Sequence, residues 1–295
     1  MLAPKQSIRV IVLVLIVASC AQVERKRLEP QPLTEGVDGA ASMGVAAATS
    51  VHQEIRNGSA RDAYVESLPF ARAGLTTFEL RYWGPFGPVD HHVRDVAAGF
   101  MGQGGEWKTW VELSDNRGDD WYEWTAIATE LPPETTFHEA SGHEWYGRTR
   151  MLIPAVGKVP VLTGFSIIFN CSDHHLRTME VRLFDEGNHV YVETDFKDDE
   201  HREYTYNVAY ALVPREKVSR TQHFTGTATG SVTRSRPRGL PVLQGFQLSF
   251  KDADHHIRQI GIRLDPENLV INYGDYNHDD KFDYDVWWAE LAGYL

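Results

Sequence analysis

The sequence predicts an all-β protein: three tandem antiparallel β-sandwich-like repeat units following a signal and a flexible tether. Three observations carry this expectation. Apolar residues recur with a period of two, and no stretch keeps a helical period through three turns. Aromatic and β-branched residues fill the alternating runs, as in "HVYVETDF" (189–196) and "LVINYGDY" (269–276). The pentapeptide Asp-His-His-x-Arg stands three times, at 90–94, 173–177 and 254–258.

The elements follow in chain order. "MLAPKQSIR" carries Lys5 and Arg9, and "VIVLVLIV" (10–17) is an apolar run. That run is too short for a hydrocarbon core of ~30 Å but suits the apolar part of a signal peptide, here residues 1–19. Val17, Ala18, Ser19 and Cys20 come next and resemble the lipobox of bacterial lipoproteins. The resemblance implies acylation of Cys20, which becomes the new N-terminus, and an extracytoplasmic protein held on a membrane by lipid. Ala21, rather than an aspartate, then favours the outer membrane. An ordinary secretory signal cut near Ala21 is the competing reading. The other cysteine is Cys171, so lipidation leaves no pair for a disulfide framework. Asp252 takes its place in the third copy, which argues against a thiol nucleophile.

Residues 20–63, rich in Ala, Gly, Pro and charge, read as the lipidated cysteine and tether. The repeats are then 64–135, 136–215 and 216–295. "VPVLTGFSIIF" (159–169) matches "LPVLQGFQLSF" (240–250), with "LTTFELRY" (75–82) as the first copy's version. Each copy also has an acidic turn with one spacing of acids and a final aromatic. These are Asp115, Asp119, Asp120, Glu123 and Trp124; Asp195, Asp199, Glu200, Glu203 and Tyr204; and Asp275, Asp279, Asp280, Asp283 and Tyr284. Agreement over such lengths marks an internal repeat. A period near 80 residues exceeds a propeller blade, so sandwiches in a row, or packed about a pseudo-threefold axis, are expected. A net charge of −12 excludes nucleic acid as a partner, since phosphate binding needs an excess of Lys and Arg.

The end of each unit resembles the H-type lectin domain. "IRQIGIRL" (257–264) followed by 269–291 has that family's strand order, with Trp288 and Ala289 at its terminal Trp-Ala position. The second copy has Tyr210 and Ala211 there, and the first "WTAIA" (124–128). The family's turn tryptophan is replaced by Asn116, Phe196 and Tyr276, which puts the family's sugar-contacting residues in doubt. The resemblance implies small antiparallel sandwiches grouped in threes, and carbohydrate binding.

Three readings of the pentapeptide stay open. Strict alternation places Asp173, His175 and Arg177 on the face of Met179, Val181 and Leu183, with His174 on the opposite face beside Leu176. In the first reading the arginine pairs with the acidic turn of its own unit and fixes the register. In the second, Asp275, Asn277, Asp279 and Asp283 form a calcium loop, although Asp280 and Val286 stand where an EF-hand wants Gly and a carboxylate. Zinc through the histidines is disfavoured, since neighbours point apart. In the third, a repeated surface binds a ligand through His91, Arg94, His174, Arg177, His255 and Arg258, with the aromatics Trp124, Tyr204, Tyr284 and Trp287. Alternate aromatics among these must be core. The expected role is non-enzymatic binding of glycan or of an envelope protein. The alternatives are a metal-dependent hydrolase, using Ca2+ or Zn2+, and a purely structural envelope protein. No nucleophile elbow, zincin helix or phosphate loop stands in the sequence.

Overall fold

The computed structural model describes residues 53–60, 64–69, 72–83, 93–103, 106–115, 121–145, 147–169, 176–197, 203–251, 257–275 and 281–292. They form an all-β fold of three six-stranded antiparallel sheets. Each unit supplies six strands. The first unit gives β1 (Gln53–Ala60), β2 (Tyr64–Ser67), β3 (Ala73–Trp83), β4 (Val93–Gln103), β5 (Glu106–Asp115) and β6 (Trp121–Glu130). The second gives β7 (Thr136–Glu144), β8 (Arg148–Pro154), β9 (Lys158–Phe169), β10 (Thr178–Glu186), β11 (His189–Lys197) and β12 (Tyr204–Pro214). The third gives β13 (Val218–Thr229), β14 (Val232–Ser235), β15 (Leu240–Phe250), β16 (Ile257–Leu264), β17 (Asn268–Asp275) and β18 (Lys281–Leu291).

No unit owns a whole sheet. The first sheet runs β1-β6-β3-β16-β17-β14, the second β2-β5-β4-β9-β12-β7, and the third β13-β18-β15-β10-β11-β8. Each therefore joins the first, sixth and third strands of one unit to the fourth, fifth and second strands of another. The exchange is cyclic, which creates a pseudo-threefold arrangement. At its centre Phe78, Phe165 and Phe246 meet, one from each unit, with ring centroids 5.0, 5.0 and 5.2 Å apart. All three rings are buried in one continuous core. Tilted and edge-on pairs at such distances add to the burial of the rings themselves.

Bulges adapt the strands to this centre. Pairing skips Thr76 in β3, Thr163 in β9 and Gln244 in β15, two residues before each phenylalanine. An extra residue reverses the alternation locally. Leu75 and Phe78 thus both enter the core, as do Leu162 with Phe165 and Leu243 with Phe246. Two bulge residues also tie units together. The buried Thr76 hydroxyl donates to the Pro241 carbonyl at 2.9 Å, and the Gln244 amide donates to the Pro160 carbonyl at 3.0 Å.

The β10–β11 hairpin turns on Gly187 and Asn188, both at positive φ. Two such residues between paired strands match the right-handed twist of a hairpin, and a side chain with Cβ is strained there. β1 corrects the expected tether, because the chain joins the first sheet at Gln53 and pairs with β6 along its length. "QEIRNGSA" contributes almost nothing to the core, and Ile55 is 62% exposed. An edge strand held by backbone bonds shows no apolar alternation, so composition alone reads it as tether.

Sheet sharing predicts one cooperative unfolding transition for the whole protein. Residues 136–215 alone, owning only parts of two sheets, give no cooperative melt by circular dichroism; a folded isolated unit refutes the shared-sheet account. Phe165→Ala opens a cavity at the centre and lowers stability by about 3–5 kcal/mol in denaturant titration.

Candidate functional site

Of the Asp-His-His-x-Arg motif, the structure describes the last two residues in each copy. His91, His174 and His255 lie outside the described residues, as do the acidic turns at 116–120, 198–202 and 276–280. Val93, Leu176 and Ile257 insert into the core together with Val96, Met179 and Ile260. That corrects the strict alternation. In the first and third copies the pairing skips Arg94 and Arg258, so the residue before each arginine reaches the core. Leu176 lies on the core side with Met179, where alternation put it on the opposite face. The Arg177 backbone bonds both neighbouring strands, donating to the Lys197 carbonyl at 2.7 Å and accepting from Phe250 at 2.9 Å. Arg94, Arg177 and Arg258 are half-buried at this irregular step. Arg94 lies 4.0 Å from the Asp95 carboxylate.

Three of the four aromatics expected to face a ligand belong to the core. Trp124 is 2% exposed, Tyr204 0% and Tyr284 1%. They alternate with outward residues on β6, β12 and β18, and the inward parity is theirs. The expected calcium turn is described only at Asp283, because Asn277, Asp279 and the Asp275 side chain lie outside the described residues. The Asp283 carboxylate accepts from the Thr227 hydroxyl at 2.5 Å and pairs with Lys251 at 2.9 Å, which holds its pKa below the ordinary value. Among the described residues, no cluster of three His, Cys, Asp or Glu is placed to hold a metal ion.

Trp287 has the outward parity, and around it the third sheet presents a row of side chains on its outer face. Register places His223 (β13), Trp287 (β18), Gly245 (β15), Arg182 (β10), Glu193 (β11) and Thr149 (β8) side by side across all six strands. The His223 ring stacks on Trp287 with centroids 4.8 Å apart and planes 5° apart. From the other side the Arg182 guanidinium lies 4.5 Å from the Trp287 ring centroid and 4.8 Å from that of Phe184. Phe184 in turn stacks on Tyr191 at 5.3 Å. Gly245 permits this reach, since a Cβ there would come within 2.5 Å of the Arg182 Cα. His223 Nε2 hydrogen-bonds the Asp285 carboxylate at 2.7 Å, Arg182 approaches Glu193 at 3.4 Å, and Thr149 donates to Glu193 at 3.1 Å. Each contact of a cation with a ring face is worth about 0.5–2 kcal/mol, so the ladder holds its polar ends in place.

The corresponding rows elsewhere differ. On the first sheet the same positions are Ile55, Ile127, Thr77, Arg263, Val270 and Thr233. On the second they are Glu139, Ala209, Gly164, Gly99, Trp110 and Val65. Neither row places an arginine between aromatic rings. Comparison between the copies hides His223, Phe184, Tyr191 and Glu193, which the copies do not share, and Arg182, which recurs at Arg263 without aromatic neighbours. The available signal was the outward parity of Arg182 and Trp287 combined with the mismatch between copies.

Beside the row is a depression of about 330 Å3, whose walls include Arg148, Thr149, Glu180, Glu193, Asp195 and Lys197. Glu180 is 8% exposed. Burial, then repulsion from Glu193, Asp195 and Asp285, raises its pKa to about 7, with Arg182 opposing. The folded chain thus keeps a proton that the unfolded chain releases above the ordinary value of 4.5. Stability therefore falls as pH rises between those two values, by an amount on the order of 3 kcal/mol. Denaturant titrations at pH values bracketing that window reveal the loss, and Glu180→Gln removes it. An unchanged pH dependence in the variant rules Glu180 out as its source.

No known protein-family model matches the chain, and no curated protein sequence matches it. Solved structures are matched at low similarity. One is a chain of the Sulfolobus turreted icosahedral virus, 12% identical with a TM-score of 0.20, the match covering 79% of this chain and 83% of that one. Another belongs to work on the triple jelly roll fold and turret assembly of an archaeal virus, 12% identical with a TM-score of 0.18 and the same coverage. Scores this low carry no argument about what this chain does.

Proposed function

We propose that this chain is a lipid-anchored, non-enzymatic extracytoplasmic protein that binds glycan on the outer face of its third sheet. The observation that carries the reading is the row His223–Trp287–Arg182–Glu193–Thr149. Its rings and charged groups are fixed by one another on an open, half-exposed surface. Ring edges pack against sugar carbons. A guanidinium donates to hydroxyls while carboxylates accept from them, without any group having to be immobilised on binding. An open face with several modest contacts suits a polymeric saccharide better than an enclosed small molecule. The resemblance of the repeats to H-type lectin domains points the same way. Val17 to Cys20 supports attachment through Cys20, with the outer membrane favoured by Ala21.

Two experiments test this. Glycan-array binding by the detergent-solubilised full-length protein is expected for the wild type and falls about tenfold or more in Trp287→Ala, whereas Ile127→Ala on the first sheet has no effect. Absence of any retained glycan, or shortening of a retained one during incubation, overturns the reading. Metabolic labelling with palmitate marks the wild type and not Cys20→Ser; label persisting in the variant removes the anchor.

A further inference from the structure

Beside the row on the third sheet, the cations described around the depression are matched by carboxylates, and one buried carboxylate is left over. Arg182 approaches Glu193 at 3.4 Å, Lys197 pairs with Asp195 at 2.5 Å, and Arg148 pairs with Glu144 at 3.0 Å. His223 bonds Asp285 at 2.7 Å. Among the described residues, every cation around the depression therefore has its own carboxylate. Glu180 has no hydrogen bond or ion pair among the described residues, although it is 8% exposed and stands in the wall of the depression. Asp195 Oδ1, in the same wall, is a buried acceptor with no donor among the described residues. Burying a carboxylate that nothing pairs is costly, and water reaching an open depression offsets only part of the cost.

The chemistry of the missing partner follows from these acceptors. An anion is repelled by the three acids of the wall. A divalent metal needs several oxygens converging at about 2.3–2.6 Å, and the described acids form no such cluster. An ammonium asks for less, because its three donors reach separate acceptors at hydrogen-bond distance and it carries the charge Glu180 lacks. Lys197 already places one ammonium on Asp195 Oδ2, leaving Glu180 as the unpaired carboxylate of the wall.

We infer that the depression is a subsite for an amino sugar with a free amine, its ammonium held by Glu180 while the rest of the saccharide lies along the Trp287–Arg182 row. The assignment rests on the glycan reading and specifies which glycans that face prefers. It also fixes the proton traffic. Glu180 is partly protonated near neutrality, so an arriving ammonium pairs with the carboxylate and the displaced proton passes to solvent. N-acetylation removes both the charge and two of the three donors, and so removes the preference.

Calorimetric titration of the detergent-solubilised full-length protein with a glucosamine tetrasaccharide and with its fully N-acetylated counterpart tests the inference. At neutral pH the free amine binds about tenfold tighter and releases protons, seen as a dependence of the heat on the buffer used. Glu180→Gln brings the two affinities together and abolishes proton release, leaving the affinity for the N-acetylated sugar unchanged. Its melting temperature at or above that of the wild type shows that it folds. Equal affinities in the wild type, or a preference that survives Glu180→Gln, overturn the ammonium subsite and leave the glycan reading standing. A lysine pentapeptide that binds more tightly than the amine sugar also overturns it, the ammonium contact then being one to protein. If neither saccharide binds and the array is empty, both readings fall.

Discussion

The contact of Phe78, Phe165 and Phe246 is the constraint from which the rest of the architecture follows. Each ring projects from the third strand of its unit, and that strand is bonded on one side to its own unit and on the other to a neighbour. Fixing the three rings against one another therefore fixes the three junctions at which units exchange strands. The bulge two residues upstream allows it. Were Thr76, Thr163 or Gln244 paired in regular alternation instead of bulged, the leucine before it and the phenylalanine after it, three residues apart, would face opposite sides of the sheet. Thr76 and Gln244 carry the constraint further by satisfying proline carbonyls of another unit.

This explains which parts of the sequence could be read. The all-β class was legible because Met179, Val181 and Leu183, or Tyr204, Tyr206 and Val208, alternate cleanly with outward residues and are all buried. The repeat was legible because the positions around the central phenylalanine tolerate little change: a Leu, a polar residue and a Phe recur in all three copies. Exchange of strands between units was not legible, since a strand's own residues do not record which unit lies beside it. Alternation also failed wherever a bulge intervened. Leu176 and Met179 are three apart and share the core, which a period of two cannot express. β1 escaped notice for a different reason, because edge strands rely on backbone bonds and leave little pattern in their side chains.

The candidate site was legible only at Trp287, and the misses have a common cause. Repetition draws attention to positions that stay the same, and in this chain those positions build the fold. Trp124, Tyr204 and Tyr284 stand at matched places along the acidic turns and are packed inside. Arg182, Phe184 and His223 do not recur as a set in the other units. Their counterparts across the sheets are Arg263 and Gly99, Asp265 and Met101, and Ile55 and Glu139 respectively, as register and strand continuity show. Only the arginine recurs, at Arg263, and there it bonds Glu79 and Asp265 rather than aromatic faces.

The row on the third sheet is also a product of strand exchange. His223 and Trp287 come from the third unit, whereas Arg182, Glu193 and Thr149 come from the second. Between them stands Gly245, whose counterpart on the second sheet is also a glycine, Gly164. Opposite Gly164 the neighbouring unit supplies Gly99, and two glycines in contact leave a bare backbone with nothing to present. Opposite Gly245 it supplies Arg182, and the same absence of a side chain becomes the gap through which a guanidinium reaches an indole. One backbone solution, close approach of strands at a junction, is thus structural on one sheet and a means of building a surface on another. Three copies of a unit allow that division of labour: the core needs all three to agree, and the outer faces do not.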